Sequence, residues 1–283
     1  GADAGQTAHA LSVSVSQAIG YTLQIGSNAK PLQTGWAARN GLEAVLLAMQ
    51  GISGQLGVLD HARGFAGLLG EYDAERFDQV MGRLGTPWAL TTYGLVLKPW
   101  PSCGYTHRLM TAALELRPSM ADRLSEVARI ETTLPDFHAE ILQFEAPATR
   151  ADALFSIPAC VAQILVTGNL TLEDSAQAFW TQARVARLMS LTDVEVERAK
   201  APDLNYDPDQ PDRVRVTFQN GDVLEATCAY PLGASQNPMP PDQLGAKFAA
   251  LTGHTEAAFS TLLGWPQSAD IAAFFKGYDN GTA

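Results

Sequence analysis

The stretch "RVRVTFQNGDVLEATCAY", residues 213–230, is the clearest local signal in this chain. Two runs of alternating apolar and polar residues flank Asn220-Gly221, a dipeptide that favours a type I′ turn between two strands. The pattern therefore predicts a β-hairpin. The chain is helical in character at both ends. The hairpin therefore predicts that the fold contains a sheet in addition to helices.

Further strand and helix signals precede the hairpin. Strands are predicted for "VARIETTLP" (127–135) and "DVEVER" (193–198), and helices for "THRLMTAALEL" (106–116) and "ADALFSIPACVAQILVTG" (151–168). Pro158 is tolerable in the second helix only near its start or at a kink. "TLED" at 171–174 resembles a capping box with Asp in place of Glu. This part of the chain is predicted to be an α+β region.

The segments on both sides of this region are helical. Asp73 is a candidate N-cap and Gly51 a candidate C′ residue. The predicted helices cover 6–20, 33–51, 73–85, 241–251, 255–263 and 268–276. We expect a mainly α fold with an α+β insertion: an all-helical domain formed by residues 1–91 and 233–283, and a smaller α+β domain formed by 92–232.

Composition excludes several classes of protein. The chain has 283 residues, a formal net charge of -11 and 46% hydrophobic residues, so it can bury a sizeable core and repels nucleic acid and anionic lipid. Its three cysteines are far apart and form no CxxC pair, which argues against a disulfide framework or a zinc ribbon. No apolar run is long enough to cross a membrane, and no secretion signal is visible. We expect a cytoplasmic protein.

Lys30 stands out in "GSNAKPLQTGWAARNG", residues 26–41. We place it in a loop just before a helix, where a cation opposes the helix dipole. A carboxylate bound between the lysine and the helix amides would explain that position. On position alone, a solvated surface lysine is the favoured alternative.

The segment "KPWPSCGYTH", residues 98–107, combines three reactive residue types on one stiff loop. Two prolines restrict its backbone, and Lys98 close to Cys103 would favour a thiolate. His107 is expected in the first turn of the next helix, and the set could bind an anion and move a proton. The alternative is a buried, inert cysteine with an exposed histidine, and without further information we favour it.

Other candidates are weaker. His9 lies in an apolar helix and is interpreted as a satisfied core histidine, and His61, His138 and His254 lack partners at metal-ligand spacing. The chain contains no GxGxxG fingerprint, P-loop or Gly-x-Ser-x-Gly elbow.

The two lysine-bearing segments resemble the MmgE/PrpD family, which includes 2-methylcitrate dehydratase, cis-aconitate decarboxylase and iminodisuccinate epimerase. The resemblance runs in family order along nearly the whole chain, and residues 85–103 look most like the iminodisuccinate epimerase type. The matching pieces are "AHALSVSVSQAIG" (8–20), "GSNAKPLQTGWAARNGLEAVLLA" (26–48), "KPWPSCGYTH" (98–107), "SIPACVAQILVTGNLTLED" (156–174) and the hairpin ending in "YPLG" (230–233).

The resemblance implies a function and a site. It implies an isomerase or lyase that abstracts a proton next to a carboxylate of a small di- or tricarboxylate, without cofactor or metal, usually as a homodimer. Lys30 and Lys98 fall on substrate-binding lysines, and Ser102 is expected to bind the substrate as well. Lys98 is also expected to act in catalysis by stabilising the charge that develops on the substrate. Cys103 falls on a catalytic position that is histidine in decarboxylase-type members, with His107 as its partner.

Two departures from the family pattern keep alternatives open. Ala159 stands where many members have a site tyrosine, which weakens the transfer of dehydratase or decarboxylase chemistry. The chain begins without Met, and the family's first helical segment, with its Asp/His motif, is expected to lie upstream or on a partner chain. A carboxylate-binding scaffold without catalysis, or an inactive fragment, is therefore the rival interpretation.

Overall fold

A computed structural model of the chain describes residues 1–68, 70, 73–92, 94–201, 204–264 and 270. The chain divides into two compact units, with the boundary between residues 93 and 94. The structure combines α-helices with one mixed sheet, as the sequence predicted. The predicted return of residues 233–283 to the helical domain stays a prediction, and the predicted helix 268–276 lies outside the described residues.

The first unit is helical throughout its described part. Small residues, among them Ala10, Ala44 and Ala48, are buried between its two long helices and let them approach closely. His9 is partly buried and its Nδ1 lies 3.0 Å from the Gly54 carbonyl oxygen, which fits the interpretation as a satisfied histidine. The helices are α1 (Ala4–Val15), α2 (Ala29–Met49), α3 (Phe65–Leu68), α4 (Ala74–Met81) and α5 (Ala89–Thr92).

Two helix boundaries in this unit differ from the prediction, and two caps agree with it. The first helix ends at Val15 instead of continuing to residue 20, and α2 begins at Ala29 because its first turn accommodates Pro31, which has no N–H to satisfy there. Asp73 caps α4 by accepting from the Arg76 N–H at 3.0 Å. Gly51, with φ of 88°, follows the end of α2 as predicted.

The second unit is built on a four-stranded mixed sheet within its described residues, with strand order β2-β1-β3-β4. Strand β1 pairs in parallel with β2 and antiparallel with β3, and β3 pairs antiparallel with β4. The elements are α6 (His107–Leu116), β1 (Val127–Pro135), α7 (Asp136–Ala139), α8 (Arg150–Ala153), α9 (Ile157–Thr167), α10 (Leu172–Ala176), α11 (Ala183–Met189), β2 (Thr192–Glu197), β3 (Asp212–Phe218), β4 (Val223–Cys228), α12 (Pro241–Thr252) and α13 (Glu256–Leu262).

The core of this unit lies between the sheet and the helices α6 and α9. Val214, Val216 and Phe218 alternate along β3 with more exposed residues and point into the core together with Ile130 of β1. Helix α9 is buried over nearly its whole length. Because α9 is buried over nearly its whole length and the sheet has a buried face, the sequence of the second unit contains apolar runs.

The predicted helix at 151–168 is two helices. Ser156 breaks it by adopting an extended backbone, and its side chain accepts from the Ala159 N–H at 3.3 Å as the N-cap of α9. Pro158 then occupies the first turn of α9, where its missing N–H costs nothing. The capping box at Thr171 and Asp174 is present as predicted.

The hairpin forms as predicted, but its turn is not type I′. That turn requires positive φ at both central residues, whereas Gly221 has φ of 87° and Asn220 is not in the positive-φ region. The Gly221 N–H donates to the Phe218 carbonyl at 2.9 Å, and the Phe218 N–H donates to the Asp222 carbonyl at 2.9 Å. The connection is therefore a three-residue loop in which Gly221 supplies the left-handed conformation.

Candidate active site

The segment from Lys98 to Thr106 forms a loop pinned against the core of the second unit. Its residue Trp100 is buried, and the Cys103 N–H donates to the Leu154 carbonyl at 2.8 Å. Residues Gly104–Thr106 form a 3₁₀ turn that leads directly into α6. The loop is therefore fixed at its centre and at its end, as its two prolines suggested.

Lys98 lies on the exposed side of this loop. Its Nζ donates to the Ser102 carbonyl at 3.0 Å, which folds the side chain back over the loop. Lys247, from α12, donates from its Nζ to the backbone carbonyl of Lys98. Two ammonium groups therefore lie next to the cysteine-bearing segment, and no sequence pattern had pointed to Lys247.

Cys103 is partly buried and is a free thiol. Its carbonyl accepts from the Thr106 N–H at 3.0 Å and from the Thr106 hydroxyl at 2.8 Å, so the backbone around the sulfur is held firmly. Cys160 behaves differently, because full burial raises the pKa of its thiol to about 12. Of these two cysteines, only Cys103 is open to solvent and could react.

Ser102 points inward. It is 1% exposed, its Oγ lies 2.9 Å from the Thr106 Oγ1, and it donates to the Met110 sulfur at 3.3 Å. The group that Ser102 offers to the exposed side is its carbonyl oxygen, which Lys98 occupies. A substrate-binding role for the Ser102 hydroxyl stays a prediction.

His107 begins α6 as predicted, but its side chain is fully buried, so the alternative of an exposed histidine is wrong. Its ring meets the Trp100 ring edge-on at 5.3 Å between centroids. Burial, together with the charge of Lys98, lowers the pKa of His107 to about 3, although the Ser102 carbonyl opposes the shift. The imidazole is therefore neutral at physiological pH.

His107 and Cys103 are not hydrogen-bonded to each other. Within the described part of the chain, neither ring nitrogen of His107 has a hydrogen-bond partner of regular geometry. A neutral buried imidazole can relay a proton only if its neighbours move. The predicted catalytic role of His107 stays a prediction.

Lys30 lies in the first turn of α2 and not in the loop before it, which corrects the predicted position. Its N–H donates to the Ser27 carbonyl at 3.3 Å. Lys30 belongs to the first unit and Lys98 to the second. That both lysines bind the same substrate stays a prediction.

A group of aromatic and polar residues beside Cys103 was not predicted. His138 is fully buried and stacks on Tyr105 at 4.1 Å between ring centroids, and its Nε2 lies 3.0 Å from the Asn205 carbonyl oxygen. Because a carbonyl only accepts, this contact places the proton on Nε2. The neighbouring Tyr206 hydroxyl donates to the Gly104 carbonyl at 3.4 Å. Asn205 and Tyr206 lie in an irregular connection, which has no periodicity to mark it.

A cavity of about 270 Å³ in the second unit shares no residue with the Cys103 loop. Its wall includes Arg187, whose guanidinium already donates to the carbonyls of Leu124, Ser125 and Val127 at 2.8–2.9 Å. This arginine stabilises the backbone around β1. The chemistry-bearing residues are concentrated at the loop instead.

The described residues show neither a metal-binding cluster nor a membrane-spanning helix. In the ranges that the structure describes, no group of three or more His, Cys, Asp or Glu side chains is placed to hold a metal ion. None of the described helices is long and apolar enough to span a bilayer.

Comparison with curated proteins finds similarity to cis-aconitate decarboxylases. The chain is 25% identical to the enzyme of Homo sapiens over 246 residues, which cover 85% of this chain and 50% of that protein. It is 26% identical to the enzyme of Aspergillus terreus over 270 residues, which cover 86% of this chain and 52% of that protein. The chain thus spans about half the length of the curated relatives it matches.

Family models match both parts of the chain. The model described as the MmgE/PrpD N-terminal domain matches residues 1–77. The model described as the MmgE/PrpD C-terminal domain matches residues 100–258, which is more than half of the chain and includes the Cys103 loop, the sheet and α12. The chain belongs to the MmgE/PrpD family.

Proposed function

We propose that this chain acts on a small di- or tricarboxylate by removing a proton from the carbon next to a carboxylate, as a lyase or isomerase of the MmgE/PrpD type. The observation that carries the proposal is the placement of Lys98, with its Nζ 3.0 Å from the Ser102 carbonyl, over a fixed loop that presents the partly buried Cys103. Lys247 adds a second positive charge to the same place.

The residues would divide the work by charge. Lys98 binds a carboxylate and stabilises the negative charge that develops when the neighbouring C–H bond breaks. The Cys103 thiolate accepts that proton, and the C–H bonding electrons pass to the carbon and its carboxylate. Lys30 would hold a second carboxylate. His107, neutral and behind the loop, would orient the loop or relay the proton.

Two outcomes follow from this carbanion-like intermediate: return of a proton on the opposite face inverts the carbon, and loss of hydroxide gives an alkene. A decarboxylase forms its carbanion differently, because the electrons of the breaking C–C bond stay on the carbon as CO₂ leaves, and a proton is then added there. The names of the relatives favour a decarboxylating lyase, whereas the resemblance of residues 85–103 favours an epimerase. Both stay candidates, and we propose that neither needs a metal or an organic cofactor.

The rival proposal is a scaffold that binds carboxylates without turnover. It would use the same Lys98 and Lys247 ammonium groups, which can bind a carboxylate whether or not Cys103 takes up a proton. Binding without chemistry would leave the hydrogen next to the carboxylate unexchanged.

One experiment separates these proposals. The protein is incubated in deuterated water with cis-aconitate, citrate or iminodisuccinate, and both exchange and product are followed by NMR. Wild type should exchange or convert one substrate, and Cys103→Ala should reduce that rate by roughly 10²-fold or more. A change under threefold would remove Cys103 from the mechanism, and tight binding with no exchange in wild type would favour the scaffold.

We also propose that the protein is cytoplasmic and that it associates with a second chain, either as a homodimer or with a separate helical partner. The first unit exposes large apolar side chains, among them Leu23 at 93%, Leu68 at 84% and Ile19 at 74%. Light scattering at several concentrations tests this proposal, because a strictly monomeric protein at high concentration would contradict the homodimer.

A further inference from the structure

Gly104 lies next to the candidate nucleophile and close to the side chains of Lys98 and Tyr206. A Cβ atom placed on Gly104 would lie 3.7 Å from the Lys98 Cε and 3.8 Å from the Tyr206 hydroxyl oxygen. Both side chains therefore lie within ordinary contact distance of the position that a Cβ at residue 104 would occupy. Gly104 is not among the glycines with positive φ, so its backbone conformation would accept other residues.

The hydroxyl of Tyr206 is only weakly engaged. Its 3.4 Å distance to the Gly104 carbonyl is well beyond the usual range of about 2.5–3.0 Å for an O–H···O bond. Burial raises the pKa of Tyr206 to about 12, with Tyr105 adding to the shift, so the group remains a protonated donor. A carboxylate oxygen would accept a shorter, charge-assisted bond from it.

The backbone that carries Tyr206 is anchored on both sides. The carbonyl of the preceding residue, Asn205, accepts from His138 at 3.0 Å, and the Arg108 guanidinium lies 5.9 Å from the centre of the Tyr206 ring. Further along, buried Gln210 donates to the Arg198 carbonyl at 3.0 Å and accepts from the Lys200 N–H at 2.9 Å. These contacts anchor the described residues on both sides of Tyr206 and hold Tyr206 beside the Cys103 loop.

We propose that Tyr206 is a substrate-binding residue of the Cys103 site, and that a substrate carboxylate is held beside Gly104 between the Tyr206 hydroxyl and the Lys98 ammonium. A carboxylate has two oxygens and can take one donor on each. This inference rests on the proposed function, because it names a further residue of the same site. It also gives the site a neutral donor next to a charged one, which orients the carboxylate.

Two variants test the inference by different means. Tyr206→Phe removes the hydroxyl and keeps the ring. Gly104→Ala adds a methyl group next to Lys98 and Tyr206, with both neighbours at ordinary contact distances, so the fold should tolerate it. Tyr230→Phe and Gly245→Ala are the matched controls: Tyr230 is a partly buried tyrosine of the second unit, and a Cβ on Gly245 would have its nearest neighbour at 3.5 Å.

The measurement is the dissociation constant for citrate and cis-aconitate by titration calorimetry, together with the melting temperature of each variant. We expect Tyr206→Phe to weaken binding about tenfold and Gly104→Ala at least tenfold, with melting temperatures near wild type and both controls unchanged. If wild type binds and both variants bind equally well, this inference is overturned and the proposed function stands. If wild type neither binds nor exchanges any polycarboxylate, this inference and the proposed function fail together.

Discussion

Arg108 and Asp212 form a fully buried ion pair, with 2.9 Å between the Arg108 Nη2 and the Asp212 Oδ1, and it joins α6 to the start of β3. Arg108 also donates to the Cys228 carbonyl at 3.0 Å and to the Gln210 carbonyl. Because α6 begins immediately after the Cys103 loop, this arginine couples the position of the loop to the sheet. Burial raises the pKa of Asp212 to about 7, and Arg108 opposes that shift.

Arg108→Met should therefore destabilise the protein strongly. It leaves the Asp212 carboxylate buried without a cation and removes the donor from two buried carbonyls, which typically costs about 3–5 kcal/mol. Urea unfolding monitored by circular dichroism measures the change. The double variant Arg108→Met with Asp212→Val should recover part of the loss, because the uncompensated charge is gone. A single variant within 1 kcal/mol of wild type would contradict the importance of this pair.

Lys98→Gln should weaken substrate binding more than it affects the fold. The side chain is exposed and donates to the Ser102 carbonyl of its own loop, so stability should change by less than about 1 kcal/mol. Loss of the ammonium should raise KM about tenfold or more, because a charged hydrogen bond to the carboxylate disappears. Lys200→Gln, an exposed lysine of the same unit, is the control. Equal KM values for the two variants would remove Lys98 from the site.

Gly233→Ala should disturb the loop through its backbone. Gly233 has φ of 94°, and a Cβ there would lie 1.9 Å from the Leu97 carbonyl oxygen, which cannot move without shifting Lys98. The Gly233 carbonyl also accepts from the Leu97 N–H at 2.9 Å. We expect a loss of about 2 kcal/mol or more and a fall in activity beyond the loss of folded protein. Measuring activity per folded molecule checks this, with Gly221→Ala in the hairpin as the control for strain alone.

Patterns that depend on neighbours in sequence were predictable. Strand β1 has the predicted bounds, the hairpin forms, and the caps at Asp73 and Thr171 are present, because each depends on residues a few positions apart. The prediction of a type I′ turn was wrong because Asn-Gly also suits a three-residue loop. In this loop the Asn220 side chain accepts from the Asp222 N–H at 3.0 Å. Local sequence does not separate these two solutions.

Contacts between distant residues could not be predicted from one sequence. Lys247 reaches Lys98 from α12, and Tyr206 reaches Gly104 from an irregular connection. His138 was set aside because it lacks metal-ligand spacing, although its role is to stack on Tyr105 and donate to Asn205. The Lys98–His107 segment drew attention because its residue types are reactive. Their burial, which separates an open Cys103 from an enclosed His107, follows only from the packed fold.

The two buried histidines should lower the free energy of unfolding as the pH is lowered from about 6.5 to about 4. Burial lowers the pKa of His138 to about 4 and that of His107 to about 3, against an ordinary value of 6.5. Below pH 6.5 the unfolded chain therefore binds more protons than the folded one, which favours unfolding. Asp212 acts in the opposite sense between about 4 and 7, because its folded pKa is raised, so a variant comparison is needed.

His138→Gln isolates the contribution of one histidine. The amide of glutamine can still donate to the Asn205 carbonyl but takes up no proton in this range. Wild type should lose up to about 1.4 kcal/mol more stability per pH unit than the variant between pH 6 and pH 4.5, since one additional proton binds on unfolding. Urea unfolding at half-unit pH intervals measures both curves. Parallel curves across this window would show that His138 titrates alike in the folded and unfolded chains, and that its contact with Asn205 does not depend on a neutral ring.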